Sequence, residues 1–229
     1  MTTAQIQSFF DPATFTVTHV VSDPATRAAA IIDSVLDFDP RSGHTSCASA
    51  DRVIAHVEAT GLRVEWLLET HAHADHLSAA PYLQSRLGGK IAIGSHIREV
   101  QAVFSRVFNL PDMDNGGREF DHLFEDGEHF AIGTLDVRVI HTPGHTPACM
   151  TYAITDHSTD PVRTVAFVGD TLFPGGHGRT DLSGGDEAAI LRSLSKLARL
   201  LPPDTVCLTG HGDSTTMARE LMQNPFMQV

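Results

Sequence analysis

Short apolar runs and alternating segments mark out the strands of this 229-residue chain. FTVTHVV (15–21) and AAAIID (28–33) have the pattern of half-buried or buried strands, joined by the turn-like SDPATR. SADRVIAHVEATG then changes period: Val53, Ile54 and Val57 share one helical face, and Gly61 supplies a stop. VEWLLET (64–70) reads as a strand, SAAPYLQSRLGG as a short helix and KIAIG as a strand. HIREVQAVFSRVF follows as a helix with Ile97, Val100, Val103, Phe104 and Val107 inward. PDMDNGGREFD (111–121) is a polar loop.

The second half repeats the scheme. EHFAI, LDVRVIH (135–141), CMTYAIT and RTVAFVGD are strands, and DTVCLTG (204–210) is the last one. Between them GGDEAAILRSLSKLARLLPP is the strongest helix signal. Asp186 and Glu187 suit its positive amino end, Ile190, Leu194, Leu197 and Leu201 line one face, and Pro202 ends it. Strands followed by helices in each of two halves predict two sheets packed face to face with helices outside. No linker or tandem repeat interrupts this, so residues 1–229 are expected to form a single domain.

Four of these strands run into residues that can bind a metal. The strand at 64–70 delivers His71, His73, Asp75 and His76, with Ala72 and Ala74 small enough to let their neighbours converge. The strand at 135–141 opens into HTPGHT and His145, the strand at 164–169 ends at Asp170, and the last ends at His211. Gly144, Gly169 and Gly210 stand beside three of these groups, where tight turns would aim side chains inward. Loops at one edge of a sandwich are where sites collect. The donor atoms of His71 and His145 are therefore expected within ~4–5 Å of each other, the span of ligands at ~2.0–2.2 Å from one ion. Histidine and carboxylate donors without thiolate suit zinc, iron or manganese alike.

Composition narrows the partners. Twenty-eight acidic residues against sixteen basic ones leave a net charge of −12, which disfavours nucleic acid. No apolar run approaches the ~20 residues of a membrane span, and MTTAQIQSFFDP lacks the pattern of a secretory signal. Cys47, Cys149 and Cys207 are far apart and form no CxxC pair, as expected of buried thiols in a reducing cytoplasm.

THAHADH, HTPGHT, the strand-end GD and the late GH together resemble the metallo-β-lactamase superfamily, whose fold is an αββα sandwich. That resemblance implies one metal position from His71, His73 and His145 and a second from Asp75, His76 and His211, with Asp170 bridging. Within the superfamily, residues 9 to about 173 are similar to bacterial persulfide dioxygenases, through FFDPATFT, VVSDPATRAAAIIDSVLDFDP, ETHAHADHLSAAPYL, LGGKIAIG, HTPGHTPACMTY and FVGDTLF. This implies a mononuclear iron(II) held by His71, His145 and Asp170, and conversion of glutathione persulfide with dioxygen to sulfite and glutathione. The other four metal-capable residues would then orient the ligands from behind.

The last third departs from that pattern. His211-Gly212-Asp213 stands where many such dioxygenases carry HDY, and His177 where some carry cysteine. GRTDLSGGDEAAILRSL and GHGDSTTMARELMQNPF instead resemble small glyoxalase II-like thioester hydrolases. The chain reads as a dioxygenase front on a hydrolase-like back, whether through an intermediate ancestor or recombination. The alternative function is a dinuclear, zinc-type hydrolase of acylglutathione, in which Asp75 has a catalytic part. A β-lactamase is disfavoured without a signal peptide, and a silent metal-binding module by the full ligand complement. Both leading readings use a glutathione derivative, for which Arg179 is the candidate basic contact, against the plainer alternative of an Arg179–Asp181 salt bridge. Tyr152 reads as core, and a homodimer is the expected assembly if the chain associates.

Overall fold

The computed structural model describes residues 4–72, 75–156 and 163–228. The first half contains β1 (Gln5–Phe10), β2 (Val17–Ser22), β3 (Ala28–Ile32), β4 (Val35–Asp39), β5 (His44–Ser46) and α1 (Ala48–Thr60). It continues with β6 (Arg63–Leu68), β7 (Leu77–Ser78), α2 (Ala80–Leu87), β8 (Lys90–Gly94), α3 (Ile97–Val107) and β9 (His122–Phe124). The second half contains β10 (His129–Ile132), β11 (Leu135–His141), β12 (Met150–Asp156) and β13 (Arg163–Gly169). It ends with α4 (Glu187–Leu200), β14 (Val206–Thr209), β15 (Thr215–Thr216) and α5 (Met217–Gln223).

Two six-stranded sheets, β1-β2-β3-β6-β8-β9 and β10-β11-β12-β13-β14-β15, form the centre. Their facing sides bury Val21, Ile32, Leu68, Phe124, Val139, Tyr152 and Phe167 in one cluster. On the outer side of the first sheet, Val53, Ile54 and Val57 of α1 and Leu83 of α2 pack on Ile31 and Leu67. On the outer side of the second, Leu194, Leu197 and Leu201 pack on Ala166, Val168 and Cys207, with Met217 of α5. The layers are α, β, β, α, as the sequence pattern predicts. Gly61 caps α1 in the left-handed region at φ 63°, and the Asp186 carboxylate accepts from Ala189 N at the start of α4. Among the described residues, no helix is long and apolar enough to cross a membrane.

Several features differ from the expectation. Val107 is 55% exposed and Val103 and Phe104 are half-buried, so only the first turns of α3 face inward. Phe104 still packs on the cluster of Ile93, Ile97, Val100 and Ala148, while Val107, one turn on, is left in water. β1, the small sheet β5-β4-β7, β9, β15 and α5 are absent from the sequence reading. Segments of two or three residues carry no period, and β1 is a half-solvated edge strand.

The sequence DPAT occurs twice, at 11–14 and 23–26, and each copy folds into a turn closed by its aspartate. Asp11 accepts from Thr14 N and Thr14 Oγ1 at 3.0 and 2.7 Å, shaping the loop that leads to Thr16. Asp23 accepts from Ala25 N and Thr26 Oγ1, and also from Thr134 N and Oγ1 at 2.7 and 2.8 Å, tying the β2–β3 turn to the β10–β11 turn. Burial pushes its carboxyl up, but these donors outweigh it and hold the pKa at about 2. A depressed carboxyl contributes stability that is full above the unfolded value near ~4 and is lost as pH falls through the folded one. Asp23→Ala is therefore expected to cost about 2 kcal/mol at neutral pH, with the difference from the parent shrinking between pH 4 and 2. Urea unfolding of both proteins across that range measures it, and a difference independent of pH would contradict the assignment.

Candidate metal centre

Four strands of the sandwich end at one edge, and the backbones of the two sheets are stitched together there. Met150 N donates to Thr70 O at 2.8 Å and Val17 N to Gly210 O at 2.9 Å, and within the second sheet Gly210 N donates to Gly169 O at 3.0 Å. β6 thus presents His71, the loop after β11 presents His145, β13 presents Asp170 and β14 presents His211. One donor atom from each of His71, His145 and Asp170 lies within 4.8 Å of the others, and all three residues are buried. The expected His71–His145 span holds. Asp170 Oδ2 is the common neighbour: 4.0 Å from His71 Nε2, 3.6 Å from His145 Nε2 and 3.5 Å from His211 Nε2. These separations are at or beyond the limit of a hydrogen bond, and they suit donors sharing an ion at ~2.0–2.2 Å.

The imidazoles are oriented from behind. Thr70 Oγ1 donates to Asp33 Oδ2 at 2.8 Å, so at 3.0 Å it accepts from His71 Nδ1–H. His145 Nδ1–H donates to Arg179 O at 2.8 Å, and His76 Nδ1–H to Leu77 O at 3.0 Å. In each ring the proton sits on Nδ1, which leaves the Nε2 lone pair for coordination. Outer hydrogen bonds of this kind fix the tautomer of metal-binding histidines. Asp170 Oδ1, also buried, has no hydrogen-bond partner among the described residues. Gly210 makes room for it, because a Cβ at that position would overlap this oxygen. Burial pushes the Asp170 carboxyl up, but contact with His211 and the charges of His71, His211 and His145 hold it well below the usual carboxylate range. Contact with Asp170 in turn raises His211 against the opposing effect of burial, with help from Asp75. The donor set and its geometry fit a divalent cation.

The remaining expected residues divide. Asp75 Oδ2 lies 3.5 Å from His211 Nε2 and accepts from Thr16 Oγ1 at 3.1 Å, and it is exposed. His76 is buried beside it. His73 lies outside the described residues. The Arg179 guanidinium makes a two-bond ion pair with Asp181 at 2.7 and 2.8 Å, which is the plainer of the two sequence alternatives. What Arg179 adds to the cluster is its carbonyl, on His145. His177 donates to Gly178 O and packs edge-on to Phe226, and Tyr152 is core, its hydroxyl donating to Glu69 O. Cys149 and Cys207 are buried free thiols, pushed by burial up to about 12 and so inert.

Asp33, Thr70 and Thr16 escape a reading that looks for ligands. Asp33 and Asp170 each follow the end of a strand, one after AAAII and one after TVAFVG, and Thr70 is the residue before His71. Those positions are the only trace the orienting network leaves in the sequence.

Residues 27–211 match the family described as the metallo-beta-lactamase superfamily. The chain belongs to that superfamily. It is 49% identical over 96% of its length to a probable metallo-hydrolase of Burkholderia pseudomallei, covering 79% of that protein. It is 42% identical to glyoxylase B2 of Dictyostelium discoideum over 89% of the chain and 68% of the relative. The human mitochondrial persulfide dioxygenase ETHE1 is 30% identical over 90% of the chain and 67% of that protein. Against the beta-lactamase hydrolase-like protein of Xylella fastidiosa, 45% identical, the chain spans 47% of the relative's length. Among solved structures of the superfamily, ETHE1 from Myxococcus xanthus superposes with a TM-score of 0.75, at 26% identity, covering 96% of this chain and 83% of that one. The αββα architecture and a metal-binding edge follow from membership, as does a likeness to both dioxygenases and hydrolases.

Proposed function

We propose that the protein is a persulfide dioxygenase using one iron(II) held by His71, His145 and Asp170. The observation that carries this reading is the buried cluster itself: two imidazoles and one carboxylate with Nε2 lone pairs and Oδ2 converging. Iron(II) held by these three residues would supply the redox chemistry that couples oxidation of a persulfide sulfur to reduction of dioxygen. The reaction balances as RSSH + O2 + H2O → RSH + H2SO3, in which the persulfide loses four electrons to dioxygen. Asp33 through Thr70, and the Arg179 carbonyl, hold the two rings in place. Asp75, His76 and His211 act as positioning groups around the opening, and the seat of the reaction is the cytoplasm.

A second reading has its own observation. Asp170 Oδ2 is as close to His211 as to His145, and His211 also faces Asp75, which is the placement a bridging carboxylate between two metals would need. That arrangement suits hydrolysis of an acylglutathione thioester by water, with His73 and His76 completing the two ligand sets. The Asp75→Ala variant separates the readings. With one iron, activity is expected to fall about 10–100-fold while iron is retained. Loss of two metals together would instead favour the hydrolase. Oxygen uptake with glutathione persulfide and cleavage of S-lactoylglutathione, each measured on iron-loaded and zinc-loaded protein, complete the test. Thioester cleavage by the zinc form with no oxygen uptake by the iron form would reverse the order of the two.

A further inference from the structure

Beside the metal-binding edge lies an open cleft of about 450 Å³ whose walls are unlike the rest of the site. Asp75 and His76 form its inner end, and Leu36, Phe38, Pro40 and Leu77 line its sides. The small sheet β5-β4-β7 builds it: Leu36 pairs with Leu77 across β4 and β7, and Phe38 follows on β4. Phe38 and Leu77 are each 49% exposed. Across Leu77, a second hollow of about 310 Å³, with Ile91, Ile93 and Phe120 among its lining, reaches His71 and His76. The two hollows share His76 and Leu77. Among the described residues, neither is lined by lysine or arginine, and their charged side chains are Asp75, Glu69 and Glu119.

Large apolar side chains left in water beside a reactive edge mark a place where a ligand removes them from it. The chemistry of the walls then says what kind. The two carboxylates of a peptide thiol such as glutathione find no lysine or arginine among the residues that line this cleft. An uncharged hydrocarbon group finds a complementary surface within reach of the metal-binding residues.

We propose that this cleft is a substituent-binding subsite that admits a further substrate class, hydropersulfides (RSSH) whose R is an apolar alkyl or aryl group, alongside glutathione persulfide. This rests on the dioxygenase reading for the chemistry, though not for the binding. Leu77 and Phe38 are the specificity-determining residues. The sulfur end points toward His71 and Asp170 and the hydrocarbon lies against the face of the β4–β7 pair, on Leu36, Phe38 and Leu77.

The product thiols provide the probe. Anaerobic titration calorimetry of the metal-loaded protein compares ethanethiol with hexanethiol, so that any sulfur–metal contribution cancels within the pair. Hexanethiol is expected to bind at least about tenfold more tightly, since each buried methylene adds a further severalfold. Leu77→Ser and Phe38→Ser, both at exposed positions, are expected to shrink that ratio to about threefold or less while metal content and melting temperature stay at the parent values. Equal affinity for the two thiols, or a ratio unchanged in both variants, would overturn the subsite. Oxygen uptake with glutathione persulfide is followed separately. Its absence would count against the dioxygenase reading and leave the chain-length ratio to decide the cleft, while uptake without a chain-length preference would remove the subsite alone.

Discussion

Asp170→Ala is expected to strip the protein of metal. Its Oδ2 lies within 4.0 Å of His71, His145 and His211 together, and its Oδ1 is buried with no hydrogen bond among the described residues to compensate. Removing it leaves imidazoles facing one another without the anion that neutralises a cation between them. Loss of an outer hydrogen-bond partner costs about 10–100-fold in metal affinity, and loss of this carboxylate is expected to exceed that range. Elemental analysis of the purified variant reads the result directly, and turnover should vanish with the metal. Metal retained at the parent level would mean that the centre is not built on Asp170.

The second large effect is on the fold around the centre. Gly144 sits at φ 143°, a conformation L side chains rarely adopt, and a Cβ there would lie against the backbone N and Cα of Ile190. The loop HTPGHT therefore packs on the first turn of α4 through a glycine, and Asp186 N donates to Gly144 O at 2.8 Å in the same contact. Gly144→Ala combines backbone strain of about 1–3 kcal/mol with overpacking of about 1–3 kcal/mol. For a domain of this size that is expected to lower the melting temperature by about 5–15 °C, and to weaken metal binding because His145 is the next residue. Gly175→Ala is the control. Its φ is 73° but its Cβ would meet nothing within 4 Å, so it carries the strain without the clash. Equal losses in the two variants would show that the contact with Ile190 does not matter.

The parts of the fold legible in the sequence are those in which one face repeats. Val53, Ile54 and Val57 of α1, and Leu194, Leu197 and Leu201 of α4, are buried as their period requires. Val107 shows the limit: its place in the period is correct, but whether a sheet lies beneath the end of α3 is a property of the tertiary fold. β4 owes its existence to pairing with β5 on one side and β7 on the other, the latter through Val35 with Ser78 and Leu36 with Leu77, and none of these stretches announces that pairing by itself. At the centre, His71, His145 and Asp170 are legible because strand ends deliver them in a recognisable order. The groups that orient them are less so. A threonine hydroxyl between Asp33 and His71, or the carbonyl of Arg179 on His145, depends on which backbones meet, and no residue type signals it. Arg179 illustrates the difference, since its side chain is engaged by Asp181 while its main chain reaches the centre.

The central claim is that one iron sits among His71, His145 and Asp170, with Asp75 and His211 around it as positioning groups. Metal stoichiometry of the anaerobically purified protein tests this most directly, by elemental analysis against protein concentration. The account expects about one iron per chain, retained in Asp75→Ala and lost in Asp170→Ala. Two zinc ions per chain, both lost when Asp75 is replaced, would contradict it.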